Sequence, residues 1–297
     1  MNALDFLISF PSAQRALIAG LAVAVICSLL SVFVVLKRMA FIGQGVSHAG
    51  YGAAASAFFL GFLGTDLWHE VIVFAFCIAT ALTIGIVSRR RRIETDTAIG
   101  ILLVAAMAWG LILTNLSAAF LNSKGPLHWP WYAQHIIAPG SQPNFDAVLY
   151  GALLNITPQQ AAITLVLSAL SGLVLLIHFK AIVFFTFDEP TSRVYGVPSK
   201  MIHQLLLVLL AIVIVLTMRV AGMLLVSAFL VIPGATGLLL SSRLSRVFAW
   251  SCATGVMGIV GGLFLCLELE FAAAGPCIVG VLCLLFGLAW TWRAVRR

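Results

Sequence analysis

Nine apolar runs, each long enough to cross a hydrocarbon core of about 30 Å as a helix, follow one another near residues 16–36, 40–62, 69–88, 98–116, 161–179, 201–218, 220–240, 247–266 and 276–292. A segment surrounded by lipid must satisfy its backbone hydrogen bonds internally, and these runs are too long for barrel strands. The sequence therefore predicts an all-α fold: a polytopic transmembrane helical bundle of eight or nine spans. Composition points the same way, since 62% hydrophobic and 9% charged residues exclude a soluble globular chain. The lipid bilayer is the first partner implied.

The cations sort by side. If the N-terminus lies outside and the C-terminus inside, fourteen Lys and Arg residues fall in inner loops, and only Arg15, Lys124 and Arg219 fall outside. That asymmetry satisfies the positive-inside rule, so the net charge of +7 is read as topogenic, with no nucleic acid as partner. The localisation that follows is a multi-pass membrane protein with a cytoplasmic inner face. One domain spans 1–297. It carries a long extracytoplasmic loop at about 117–160 and an inner loop at about 180–200, where Asp188, Glu189 and Pro190 mark the start of a short helix and Gly196 with Pro198 its stop.

Six cysteines stand singly in apolar runs without CxxC spacing, which argues against a zinc knuckle or a disulfide framework. The phosphate-binding pattern GxxxxGK[ST] is absent, and so are HExxH and GxSxG. The chain therefore has no P-loop of its own, and an enzyme reading loses its supports.

Within this frame the stretch KRMAFIGQGVSHAGYGAAAS, residues 37–56, stands out. A helix rising about 1.5 Å per residue sets His48 roughly 16 Å from Lys37, near the bilayer midplane. An ionisable group at that depth marks a functional position. Gln44 and His48 are four apart and share one helix face. An imidazole nitrogen suits zinc, manganese or iron(II), and an amide oxygen is a weak uncharged ligand. The same pair would also serve as a hydrogen-bonding contact between packed helices, and the surrounding glycines and alanines fit both readings. Pro233 and Gly234 lie well inside another apolar run and predict a helix break, either lining a cavity or kinking a packed helix. Glu268 and Glu270, near the outer end of the eighth span, are candidates for gathering cations at an outer mouth, or solvated loop carboxylates.

Six blocks in order carry a resemblance: VVLKRMAFIGQGVSHAG (34–50), ETDTAIGILL (94–103), LYGALLNITPQQ (149–160), FDEPTSRVYGVPSKMIHQLLL (187–207), AGMLLVSAFLVIPGATGLLL (221–240) and GPCIVGV (275–281). Together they resemble the permease subunits of bacterial ABC transporters for zinc, manganese or iron(II), the ABC-3 family, over nearly the whole chain. The resemblance implies a homodimeric permease, not an enzyme, that moves a divalent transition metal, with zinc or manganese foremost, and holds no permanent cofactor. It implies two further partners, a cytoplasmic P-loop ATPase and an extracytoplasmic metal-binding protein.

In the family's GDAxSHA motif an aspartate and a histidine four apart contact the metal. His48 matches the histidine, and Gln44 stands where the aspartate would be. The block around Asp188, Glu189, Arg193 and Gly196 matches the segment that docks on the ATPase. Because Gln44 brings no charge to offset the desolvation of a divalent ion, a tight midplane site is disfavoured, and transport of a chelated metal or small cofactor is the alternative within this class. A stand-alone secondary carrier, from a different class, would need ionisable midplane groups for coupling, and apart from His48 the spans offer almost none.

Overall fold

A computed structural model of the chain describes residues 11–60, 62, 67–89, 95–122, 156–269 and 274–295. Among these residues the chain forms eleven helices and no strand: α1 (Pro11–Leu36), α2 (Ile42–Phe59), α3 (Leu67–Arg89), α4 (Thr95–Asn122), α5 (Pro158–Ile177), α6 (Phe179–Phe187), α7 (Glu189–Val194), α8 (Ser199–Ala221), α9 (Met223–Leu240), α10 (Leu244–Glu268) and α11 (Ala274–Val295). Each of the nine apolar runs lies on one of them. Seven, namely α1, α3, α4, α5, α8, α10 and α11, are long and apolar enough to cross a membrane, which makes this a multi-pass membrane protein.

The centre of the bundle is set by how much of each helix the chain itself covers. α1 and α8 have 67% of their membrane-length windows buried, against 28% for α3, α4 and α5. α1 packs on α9, α10, α5 and α8, while α2, α3 and α4 pack together on one flank and α10 and α11 on the other. Small polar groups join the central helices. Ser251 donates to the Ser28 carbonyl at 2.7 Å, Ser31 and Ser251 hydroxyls meet at 3.2 Å, and the Cys27 thiol meets the Thr217 hydroxyl at 3.0 Å. Such bonds link helices where lipid supplies no hydrophobic drive for association.

Helix ends follow local chemistry. At α5, Thr157 and Gln160 form a reciprocal capping box with Pro158 in the first turn, satisfying two otherwise orphaned amides. At α7, Asp188 accepts the Thr191 amide at 3.0 Å.

The loop at 180–200 is more structured than one short helix. His178, whose ring meets the Val174 carbonyl at 3.1 Å, separates α5 from α6, and α6 buries Ile182, Phe185 and Thr186. Phe33, Phe179 and Phe248 join α1, α6 and α10 with ring centroids 5.4–6.2 Å apart. Aromatic pairs at such spacing favour edge-to-face contact and fix α6 across the end of the bundle. The loop beyond α4, from 123 to 155, lies outside the described residues.

The helix break expected at Pro233 and Gly234 is not observed. α9 runs through both as one helix, and the chain turns instead at Gly222, whose φ of 85° lies in the left-handed region that glycine reaches without strain. Gly234 is a packing position: a Cβ there would lie 2.6 Å from the carbonyl carbon of Ser31 on α1. Backbone cannot yield as a side-chain tip can, so Gly234→Val must push α1 and α9 apart. Overpacking of this kind costs about 1–3 kcal/mol. The expected outcome is a lower thermal midpoint for purified Gly234→Val in detergent, whereas Gly280→Ala, with nothing within 4 Å of its Cβ, unfolds as the unaltered chain does.

Candidate functional site

α2 differs from its neighbours in being long enough to span but not apolar enough, because glycines, Gln44, Ser47 and His48 occupy its first half. Its 18 residues rise about 27 Å, close to the hydrocarbon thickness. Such a helix needs protein around it.

Glycines make that possible. A Cβ at Gly43 would meet Leu230 at 2.9 Å, at Gly45 Ile99 at 2.6 Å, at Gly50 the Met218 sulfur at 2.7 Å, and at Gly52 the Ala106 carbonyl oxygen at 2.6 Å. α2 is thereby packed against α9, α4 and α8, and against α3 through Cys77, whose thiol points to the Val46 carbonyl at 3.8 Å. Val46, Ala49 and Ala53 are fully buried.

One face stays open. Gln44 is exposed, His48 and Tyr51 are half-buried, and the three recur at the spacing of a single helical stripe. His48 Nδ1 has no hydrogen-bond partner among the described residues. The structure thus brings Gln44 and His48 together on one uncovered face, with the His48 ring half-buried and its Nδ1 turned into the protein where no neighbour uses it. Nearby polar groups are committed elsewhere: Ser47 donates to the Gln44 carbonyl at 3.1 Å, and Ser56 donates to the Gly52 carbonyl while accepting the Trp109 indole N–H at 3.1 Å. No group of three or more His, Cys, Asp or Glu that could hold a metal ion is found among the described residues. The stripe can offer an ion one nitrogen and one amide oxygen, which is transient coordination and not a cage.

Glu268 is exposed in the last turn of α10, a helix packed chiefly on α1, α9 and α11 and not grouped with the α2 stripe. Glu270 lies outside the described residues. Asp188, Glu189, Arg193 and Gly196 are gathered in and beside α7. Asp188 accepts from the Thr191 hydroxyl at 2.5 Å, and these bonds hold its carboxyl below the usual range. Burial opposes the charge on Glu189, yet the hydrogen bond from Arg193 at 2.5 Å and the charge of Lys37 outweigh it and keep its carboxyl low as well. Gly196 has open space around it and a φ of 80°, so glycine is required there by conformation. Val194 and Tyr195, 85% and 76% exposed, form an apolar tip beside it.

Two charged residues have roles that sequence reasoning did not assign. Lys37 ion-pairs with Glu189 at 3.5 Å and sits 3.7 Å above the Phe185 ring. Arg219, counted from sequence as an outer-side cation, is largely buried in the last turn of α8, where it pairs with Glu70 of α3 and lies over Phe74. The signal for Arg219 was its place: Glu70 sits in the first turn of α3, so each charge occupies the helix end whose dipole favours it. The two pairs also sort helix ends into two sets, Lys37 with Glu189 and Glu70 with Arg219, the same partition that the cation distribution implies.

The sequence pattern of the ABC 3 transport family matches residues 9–293. The manganese transport system membrane protein MntC of Halalkalibacterium halodurans is 30% identical over 289 residues, covering 96% of this chain and 89% of that protein. The chelated iron transport system membrane protein YfeD of Yersinia pestis is 28% identical over 302 residues, covering 100% and 92%. Among solved structures, PsaBC from Streptococcus pneumoniae in complex with Fab superimposes with a TM-score of 0.78 at 27% identity, covering 97% of this chain and 94% of that one. An inward-facing conformation of a putative metal-chelate type ABC transporter shares the fold, with a TM-score of 0.66 at 14% identity, covering 97% and 88%.

The open stripe is testable by thiol chemistry. In a background with the native cysteines replaced, Gln44→Cys, His48→Cys and Tyr51→Cys should react with a small water-soluble thiol reagent in membranes. Val46→Cys and Ala49→Cys should not. Equal reactivity at 46 and 48 would remove the distinction between the faces.

Proposed function

This chain belongs to the ABC 3 transport family, and we propose that it is the membrane-spanning permease of an ATP-driven importer for a divalent transition metal ion, manganese or zinc foremost. It is a transport subunit and not an enzyme. The observation that carries the reading is His48: it stands half-buried on the open face of an otherwise enclosed helix, with its buried Nδ1 unpartnered, in the block that matches the family's GDAxSHA motif. Relatives named for manganese and iron transport support the class of cargo.

Two copies of the chain face each other across the α2 stripes, so that Gln44 and His48 of both line a central path. Weak coordination suits a conduit, since an ion must leave as readily as it enters. The chain has nine spans, with the N-terminus outside and Lys37 and α7 on the cytoplasmic side. α7, with Asp188, Glu189 and Arg193 and the exposed Val194 and Tyr195, docks on the P-loop ATPase. An extracytoplasmic metal-binding protein delivers the ion to the outer mouth, where Glu268 and Glu270 gather cations. A second reading, import of a chelated metal, is favoured by Gln44 in place of a carboxylate and by the relative named for chelated iron.

His48→Ala should abolish metal-dependent growth and uptake while leaving the amount of folded complex unchanged; undiminished uptake would refute the role. Offering zinc, manganese and iron(II) in competition, free and chelated, to the reconstituted importer separates the two cargo readings. The orientation is checked by fusing to the C-terminus a reporter enzyme that works only outside the cytoplasm. It should be silent, and activity there would overturn the topology.

A further inference from the structure

Lys37 was legible in the sequence only as a topogenic cation, yet its ammonium is the best-held group at its end of the bundle. It lies 3.7 Å above the Phe185 ring of α6 and 3.5 Å from Glu189 of α7, and its side chain is only 18% exposed. A cation drawn out of water onto an aromatic face is attracted more strongly than an exposed one, so the contact fixes position as well as charge. Glu189 is in turn clasped by Arg193 within α7. Phe185 also stacks at 5.8 Å on His203 in the first turns of α8, which ties the same point to a central helix.

The backbone around Lys37 is equally constrained. The Arg38 amide donates to Val35 O at 3.1 Å and the Met39 amide to Val34 O at 2.9 Å, with Arg38 itself at φ 56°. This is the left-handed residue and paired bonding that close a helix C-terminus. Ile42 N then donates to Met39 O at 3.1 Å and Gly45 N to Phe41 O at 3.0 Å, so α2 begins with no slack chain between. Six residues into α2, about 9 Å along its axis, stands His48. A shift imposed on Lys37 is therefore delivered to the helix that carries the open stripe.

We propose that Lys37 is a positioning residue that couples α7 to the His48 helix: its contacts with Glu189 and Phe185 carry movement of α7 through the short α1–α2 turn to the face bearing Gln44 and His48. The proposal rests on the reading of α7 as the ATPase-docking helix. It differs from a purely structural role because its loss separates ATP hydrolysis from transport and leaves assembly intact.

The test uses the permease complex with its co-purified ATPase in liposomes, measuring manganese taken up per ATP hydrolysed. Lys37→Met keeps the stem that lies on Phe185 and removes the charge. Its complex should retain the ATPase and hydrolyse ATP, but manganese moved per ATP should fall about fivefold, within the range by which coupling residues act. Lys37→Arg should stay near the unaltered ratio. Lys37→Met combined with Glu189→Gln should be no worse than Glu189→Gln alone, because Glu189→Gln already removes the Lys37 ion pair along with its bond to Arg193. An unaltered ratio in Lys37→Met, or losses that multiply in the double variant, would overturn the proposal. If Lys37→Met fails to assemble, Glu189→Gln alone decides, because it leaves the α1–α2 turn untouched: an unaltered ratio there overturns the coupling. If the unaltered complex moves no manganese with ATP, the permease reading falls instead.

Discussion

A helix whose first half carries glycines, a glutamine and a histidine is not apolar enough to stand alone in lipid, and α2 is held in the bundle because four neighbouring helices come close enough to cover it. The glycines at 43, 45, 50 and 52 set that approach, each leaving room that a methyl group would fill to within 2.6–2.9 Å of a neighbouring atom. With α9, α4, α8 and α3 drawn in on those sides, the remaining stripe of Gln44, His48 and Tyr51 is the one place where α2 can meet water, an ion or another chain. The site is thus a consequence of packing: small residues decide where protein is dense, and the polar residues occupy what is left.

Charge is handled by the same economy. Two ion pairs join different elements among the described residues: Lys37 with Glu189 at one end, Glu70 with Arg219 at the other. Each carboxylate sits in the first turn of its helix, where the dipole favours it, and Arg219 sits in a last turn for the complementary reason. The two pairs bracket the helices that enclose α2. One joins the α1–α2 turn to α7, and the other joins α3 to α8 just before the chain turns at Gly222. The polar stripe lies between two clasped ends, and the clasp at the Lys37 end is also where a partner pressing on α7 would be felt.

The relation between sequence and structure is uneven in an instructive way. Nine runs were recognisable as helices because lipid forces long apolar segments into that form. The shared face of Gln44 and His48 followed from helical period alone, whereas α2 starts at Ile42, so the rise counted from Lys37 does not apply. α9 passes through Pro233 as one helix, and at Gly234 it lies in close backbone contact with Ser31 of α1. The turn at Gly222 falls within a few residues of the boundary that the runs 201–218 and 220–240 mark at Arg219. α6 was hidden because its apolar residues continued the preceding run, and only His178 separates them.

By itself, then, the sequence determined that this chain is a helical membrane protein, which helix ends share a side, and that a histidine and an amide share one face of α2. The tertiary structure alone decided which face of α2 remains open, that Arg219 is buried and paired, and that Lys37 reaches α7. The reason is physical. A helix in a membrane is apolar whether a given face meets lipid or protein, so hydropathy cannot say which faces pack, and ion pairs between residues about 150 apart in the chain leave no local pattern. Those facts exist only once the helices are set against one another.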